Sequence, residues 1–270
     1  MRLRRSSHGR LATAVPAVSP GGPAGTAGSR VLDYPDKVGA VLQEFRQRGD
    51  DTMNTRQIRV YKDLMGANEE WARKTRDLLA EKKLAMLNLI GSPGSGKTTL
   101  LEKMVAGLAG KLRFAVLEGD VETTYDAERL DKLGVPTSQL LTGGACHLEA
   151  KLVHYALKDL PLDDLDMVIV ENVGNMVCPA EFDIGEDAKI AVVSVTEGED
   201  KPEKYPLLFH EAKAVVLTKT DLLPHVPVDV DAFMGHLRRV NAAVPVFQVS
   251  AWKGQGLEAW IDWVVARRRA

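Results

Sequence analysis

The chain has no long apolar run. None approaches the roughly 18 residues that a membrane-spanning helix needs. It has no apolar stretch near the N-terminus of the kind a secretory leader carries. Cysteine is nearly absent: Cys146 and Cys178 are the only two, which excludes a disulfide-built secreted scaffold and permits one bridge at most. In a reducing compartment they are free thiols, serving either as small buried apolar residues or as ligands. An excess of basic charge is missing as well. With 35 Lys and Arg against 37 Asp and Glu, the formal net charge is −2, which gives no whole-chain argument for nucleic acid. The expected setting is therefore cytoplasmic, with neither nucleic acid nor membrane as a partner.

Acidic residues are absent from residues 1–30, which hold five arginines with scattered Pro and Gly. Such a segment buries too little apolar surface to offset its ordering entropy and is expected to be disordered. Its Arg- and Ser-rich, acid-free character is also that of a transit peptide. Residues 31–50 contain a short amphipathic piece, VGAVLQEFRQ. The reading is of a largely disordered or weakly ordered extension over 1–60, a helix over 61–83 and a G domain over 84–270. The helix places Leu64, Ala67, Trp71, Leu78 and Leu79 partly on one face.

From residue 84 the pattern changes. Apolar runs of strand length occur at 84–90, 113–117, 166–170, 190–195, 213–217 and 245–249. Helix-length segments are expected at 97–109, 125–133, 146–159, 201–212, 229–241 and 256–268. Near-continuous apolar strands alternating with helices predict an α/β fold of the P-loop NTPase kind, a mostly parallel sheet with helices on both faces.

The phosphate-binding signal is Gly91, Ser92, Pro93, Gly94, Ser95, Gly96, Lys97 and Thr98, followed by Thr99. It fits G-x-x-x-x-G-K-[ST] at every fixed position, between an apolar strand and a helix. Backbone N–H groups of such a loop turn toward phosphate oxygens, and the helix that follows adds the positive end of its dipole. Lys97 is expected to reach the β- and γ-phosphates, and the Thr98 hydroxyl to join a Mg²⁺ shell.

Two later segments address the base. Thr218-Lys219-Thr220-Asp221 follows a strand and is similar to the guanine-reading N-K-x-D, with Thr218 in place of Asn. Asp221 can accept hydrogen bonds from the ring N–H and the amine of guanine, and the stem of Lys219 can lie along the base. Ser250-Ala251 follows the next strand, where a backbone N–H meets the guanine carbonyl. Together they favour GTP over ATP. For magnesium and the attacking water, Glu118-Gly119-Asp120 and Glu171-Asn172-Val173-Gly174 stand at strand ends. Asp120 is the expected switch carboxylate, Asp126 the alternative, and Glu171 with Gly174 is similar to D-x-x-G.

Cys146 and His147 are adjacent, follow Thr142-Gly143-Gly144 and precede a helical pattern. A thiol at a helix N-terminus is depressed in pKa. Cys178 lies in the loop after Glu171. Thiolate and imidazole suit nickel and zinc, and three such groups are fewer than a closed zinc site uses. On spacing alone, two buried thiols and a surface histidine remain an equal reading.

The assembled strings resemble one family, the hydrogenase nickel-incorporation GTPases called HypB. The matching segments are ANEEWARKTRDLLAEKKLAMLNLIGSPGSGKTTLLEK, TGGACHLEAKLV, VIVENVGNMVCPAEFDIGED and VSAWKGQGLEAWIDW, between residue 67 and about residue 264. The resemblance implies a GTP-hydrolysing metallochaperone that dimerises around nucleotide and works with hydrogenase maturation proteins and the hydrogenase large-subunit precursor. It also implies a Ni²⁺ or Zn²⁺ site at Cys146, His147 and Cys178, shared between subunits. Three departures stand out: residues 1–66 contain no cysteine and only His8, Lys151 stands where some members have a further histidine, and Thr218 replaces Asn. Related GTPases that mature urease or a cobalamin enzyme, and a nickel-buffering protein, are the competing readings.

Overall fold

The computed structural model describes residues 55–120 and 129–269. The expected N-terminal extension up to residue 54, the piece within 31–50, Asp126 and the first half of the 125–133 helix fall outside the described residues. The described residues open with α1 (Thr55–Glu81), which starts earlier and is longer than the helix expected at 61–83. There follow β1 (Ala85–Ile90), α2 (Lys97–Leu108), β2 (Phe114–Asp120), β3 (Thr137–Leu141), α3 (Ala150–Leu157), β4 (Met167–Glu171) and α4 (Cys178–Glu181). The rest is β5 (Ala188–Ser194), α5 (Lys201–Lys204), α6 (Pro206–Glu211), β6 (Ala214–Thr218), α7 (Val230–Val240), β7 (Val246–Val249) and α8 (Leu257–Val265).

The seven strands form one sheet in the order β3-β2-β4-β1-β5-β6-β7, and every pairing is parallel. Parallel neighbours need crossovers, so helices cover both faces, and the central strands are buried along their whole length. Alternate residues serve opposite faces. One face, with Leu87, Leu89, Val116, Ile169 and Val192, packs on Leu100, Leu101 and Met104 of α2 and on Trp260, Ile261 and Val264 of α8. The other face carries two separate clusters. Met86, Leu117, Val168 and Val170 meet Leu79 of α1 and Val153 and Leu157 of α3. Ile90, Val193, Val215 and Leu217 meet Phe209 of α6 and Phe233 and Leu237 of α7. No described helix is long and apolar enough to cross a membrane.

Three expectations are corrected. The 146–159 helix starts only at Ala150, with Glu149 at its N-cap. Gly143 and Gly144 both hold positive φ, and Thr142 Oγ1 donates to the Ala145 carbonyl, so local turn chemistry claims the residues before it. The 201–212 helix breaks into α5 and α6 at Tyr205, because Pro206 disfavours helical geometry in the residue before it. β3 is a seventh strand that the apolar runs did not indicate: Thr-Ser-Gln-Leu-Leu at the sheet edge.

Candidate functional site

β1 runs straight into the glycine loop and α2 leaves it at Lys97. Gly94 (φ 74°) and Gly96 (φ 93°) occupy the left-handed region, which a side chain rarely tolerates and which turns the amides between them inward. Lys97 Nζ donates to the carbonyls of Gly91 (3.2 Å) and Ser92 (3.3 Å), keeping the ammonium at the mouth of the loop. Thr98 Oγ1 donates to Glu171 Oε1 at 2.8 Å, so hydroxyl and carboxylate meet at the end of β4 as a pair of hard oxygen ligands. A cleft of about 520 Å³ opens over this turn, bounded by Gly94, Lys97, Thr98, Thr99, Glu118, Glu171 and Lys219 among others. Asp120 closes β2 at the same sheet edge.

The base-reading segments arrive on the same edge. Lys219 takes a left-handed conformation (φ 58°), and its Nζ donates to the Gly94 carbonyl at 2.6 Å. Thr218, which lacks the amide of the usual asparagine, donates its hydroxyl to the Ser95 carbonyl at 2.5 Å, so this position still ties the base segment to the phosphate loop. Asp221 Oδ1 accepts from Ser250 Oγ at 2.6 Å, which joins the two base-reading segments. That hydroxyl, with Lys253 and Lys219 beyond it, holds the Asp221 carboxyl below the usual range despite some desolvation, so it is an acceptor at neutral pH. Ala251 follows Ser250 in the turn closed by the paired Ser250 and Gln255 backbones (3.0 and 3.1 Å).

Two supporting residues escaped sequence reasoning. Glu197 accepts from Ser92 Oγ at 2.6 Å and from the Ser194 amide at 2.8 Å, pinning the loop to the end of β5. Arg129 borders the cleft and grips Glu102 through two bonds of 2.9 and 2.7 Å. Neither belongs to a motif of fixed spacing.

The thiols come together 32 positions apart in sequence. Cys146 Sγ lies 2.9 Å from Cys178 Sγ and 3.6 Å from His147 Nδ1, and ligand atoms of the three residues all fall within 4.8 Å of one another. Burial pushes the Cys178 thiol up, and the neighbouring Cys146 sulfur adds to this. Burial pushes His147 down, favouring the neutral imidazole that binds metals. Its ring stacks on Phe182 with centroids 3.8 Å apart, and its Nε2 is buried without a hydrogen-bond partner among the described residues. Two soft sulfurs and an oriented neutral imidazole form a donor set that fits Ni²⁺ or Zn²⁺. Because α3 starts at Ala150, Cys146 sits ahead of the helix rather than in its first turn, which corrects its expected place at a helix N-terminus. The ammonium of Lys151 lies 5.8 Å from the Trp71 ring.

The segment from Glu171 to Cys178 joins the two places. Gly174 packs so closely on the phosphate loop that a β-carbon there would meet Pro93 Cγ at 2.8 Å. The Asn175 backbone bridges to Gly91, while its side chain donates to the Cys146 carbonyl at 3.1 Å.

The family model described as CobW/HypB/UreG, nucleotide-binding domain, matches residues 85–248. The chain is 47% identical to the hydrogenase maturation factor HypB of Azotobacter vinelandii over 216 residues, which cover 79% of this chain and 71% of that protein. It is 44% identical to the protein of the same name in Escherichia coli K12 over 215 residues, covering 80% of this chain and 74% of the relative. The crystal structure of HypB from Helicobacter pylori in complex with nickel superposes with a TM-score of 0.72 at 34% identity, covering 76% of this chain and 98% of that one.

Proposed function

The chain belongs to the CobW/HypB/UreG family of nucleotide-binding domains and within it to the HypB hydrogenase maturation factors, and on that premise we propose that it is a GTP-hydrolysing metallochaperone that binds nickel and promotes its insertion into NiFe-hydrogenase. One observation carries the reading: the Cys146, His147 and Cys178 donor set is tied to the phosphate loop by the single segment from Glu171 to Cys178. A protein that only stored metal would need no such tie.

In this reading residues 84–270 form the G domain. Gly91 to Thr99 cradle the phosphates, with Lys97 on the β- and γ-oxygens, where its charge stabilises the transferring group. Asp221 and Lys219 read guanine, with Ser250 and Ala251 on its carbonyl side. Thr98, Glu171 and Asp120 would hold Mg²⁺, which when bound neutralises phosphate charge. Glu171 and Asp120 also orient the attacking water. Nickel is the cargo. Three ligands per chain leave a coordination position for a second subunit, so the active form is a homodimer around nucleotide, working in the cytoplasm with hydrogenase maturation proteins and the large-subunit precursor. Exchange of GTP for GDP rearranges the segment beside the γ-phosphate and moves Cys178, changing the hold on nickel.

The test is nickel titration alongside sedimentation, with GDP and with a GTP analogue. Cys146→Ala and Cys178→Ala should each lose most nickel binding while still binding the analogue, and nickel should raise the dimer fraction of the wild type. Wild-type nickel affinity in both cysteine variants would place the metal elsewhere. Equal nickel affinity in the two nucleotide states would sink the coupling.

A further inference from the structure

The face of the sheet that carries two apolar clusters is divided by a line of buried polar groups. Asn88, fully buried in mid-β1, sits between Met86 of one cluster and Ile90 of the other. Its Oδ1 accepts from Asn172 Nδ2 at 3.1 Å, and its Nδ2 donates to Glu186 Oε1 at 3.3 Å. Glu186 also accepts the Ile184 amide at 2.8 Å and lies 3.7 Å from Lys189 Nζ; the two side chains are only 4% and 7% exposed. Lys189 is the register partner of Asn88 on β5, and its Nζ donates to the Ala180 carbonyl of α4 at 2.6 Å. The line therefore begins one residue after Glu171 and ends two residues after Cys178.

Stability does not account for these residues. A leucine at position 88 would merge the two clusters, and a buried Lys–Glu pair often returns less than its desolvation costs. What the line supplies is position. The four-residue α4 is too short to satisfy all its carbonyls: the Phe182 amide takes that of Cys178, and Lys189 fixes that of Ala180 from β5. At the other end Asn172 follows the strand end that carries Glu171 and lines the cleft over the phosphate loop.

We propose that the chain Asn172–Asn88–Glu186–Lys189 is a buried strut that carries the nucleotide-dependent shift of Asn172 to the helix of Cys178, with Lys189 as the positioning residue for that metal ligand. It rests on the coupling of nucleotide to nickel proposed above. It adds a route through the sheet core, separate from the surface segment through Gly174 and Asn175.

The experiment measures nickel(II) affinity of the full chain by chelator competition in GDP and GTP-analogue states. The wild type should show at least about a fivefold difference between the states. Asn88→Leu should unfold cooperatively, bind the analogue within about twofold of wild type and keep its thiolate-to-nickel absorption band, yet bring the state-to-state ratio to less than about half its wild-type value, the remainder passing through Gly174 and Asn175. The double variant Glu186→Gln/Lys189→Met, which removes both buried charges together, should do the same. A ratio that stays above about half its wild-type value in either folded variant overturns the strut, including the case where both affinities fall in parallel. Hydrogen exchange on the wild type decides independently of any variant: the analogue must change protection at the Ile184 amide, and unchanged protection there overturns the proposal. A wild type without nucleotide dependence overturns the coupling itself and the strut with it, whereas a nucleotide-dependent wild type with indifferent variants removes the strut alone.

Discussion

At the scale of single residues, the base-reading site turns on one carboxylate and one hydroxyl. Asp221 is ionised at neutral pH and held by Ser250, so it offers guanine an acceptor in a fixed place. Asp221→Asn exchanges the acceptor for an amide that suits a carbonyl. The variant should lose GTP affinity by about 10- to 100-fold and gain for XTP. Competition between the two nucleotides for a fluorescent analogue measures this, and unchanged relative affinity would remove Asp221 from the base site. Motifs made it easy to single out the phosphate loop, Lys219 and Asp221, because phosphate and guanine impose fixed chemistry at fixed spacing. Thr218 reads as a lost asparagine, because a consensus compares side-chain types. It does not reveal that a hydroxyl at the end of β6 reaches the Ser95 carbonyl. Asn88 and Lys189 stand inside apolar strands, and only their pairing across β1 and β5 relates them.

At the scale of elements, α1 braces both segments that carry the thiols. Asn68 Oδ1 accepts the Ala150 amide at 2.9 Å, capping α3 just after His147, and its Nδ2 donates to the Asp183 carbonyl at 2.7 Å, just after Cys178. Arg76 adds two bonds to the Asp183 carboxylate at 2.9 and 2.8 Å. Asn68→Ala leaves the first amide of α3 without this cap. It should cost about 1–2 kcal/mol of stability in urea unfolding. Nickel affinity should weaken while analogue affinity stays the same. Equal loss of both would mean that α1 supports the domain at large rather than the metal centre. The apolar pattern gave α1 its existence and the Leu79 of its buried face, but missed that Ala72, Thr75 and a half-buried Asn68 complete that face, while Ala67 is exposed. Two of those four residues are polar, and hydrophobic periodicity assigns no weight to a polar residue that is buried because it caps another helix. β3 escaped for a related reason: an edge strand pairs on one side only and can be built from Thr, Ser and Gln.

At the scale of the whole molecule, the two edges of the sheet divide the work. Phosphate loop, base segments and thiols gather at the carboxyl ends of the strands, as in other open parallel sheets. The amino ends are drawn together by two aspartates. Asp166 accepts the Arg113 amide at 2.9 Å and its guanidinium at 3.3 and 3.2 Å, and it pairs with Arg268 near the C-terminus at 2.9 Å. Asp187 accepts the Met86 amide at 2.7 Å and pairs with Arg269. The starts of β1, β2 and β4 and the tail beyond α8 are thus tied at one edge, opposite the chemistry. The Arg113 guanidinium holds the Asp166 carboxyl below the usual range, with burial opposing and Arg268 assisting. A carboxylate depressed in the folded state stabilises above its unfolded pKa of about 3.9, and that contribution is lost as the pH falls through the lower folded value. Both arginines are more than half exposed, so screening limits the gain to about 1 kcal/mol. Asp166→Asn should therefore be less stable than wild type by about that amount at pH 7 in urea unfolding, and the gap should close toward pH 3. Because this edge lies away from both sites, nickel and GTP-analogue affinities should match wild type. A gap that persists at pH 3 would trace the effect to packing rather than charge. A loss of ligand affinity would mean that the two edges are not independent.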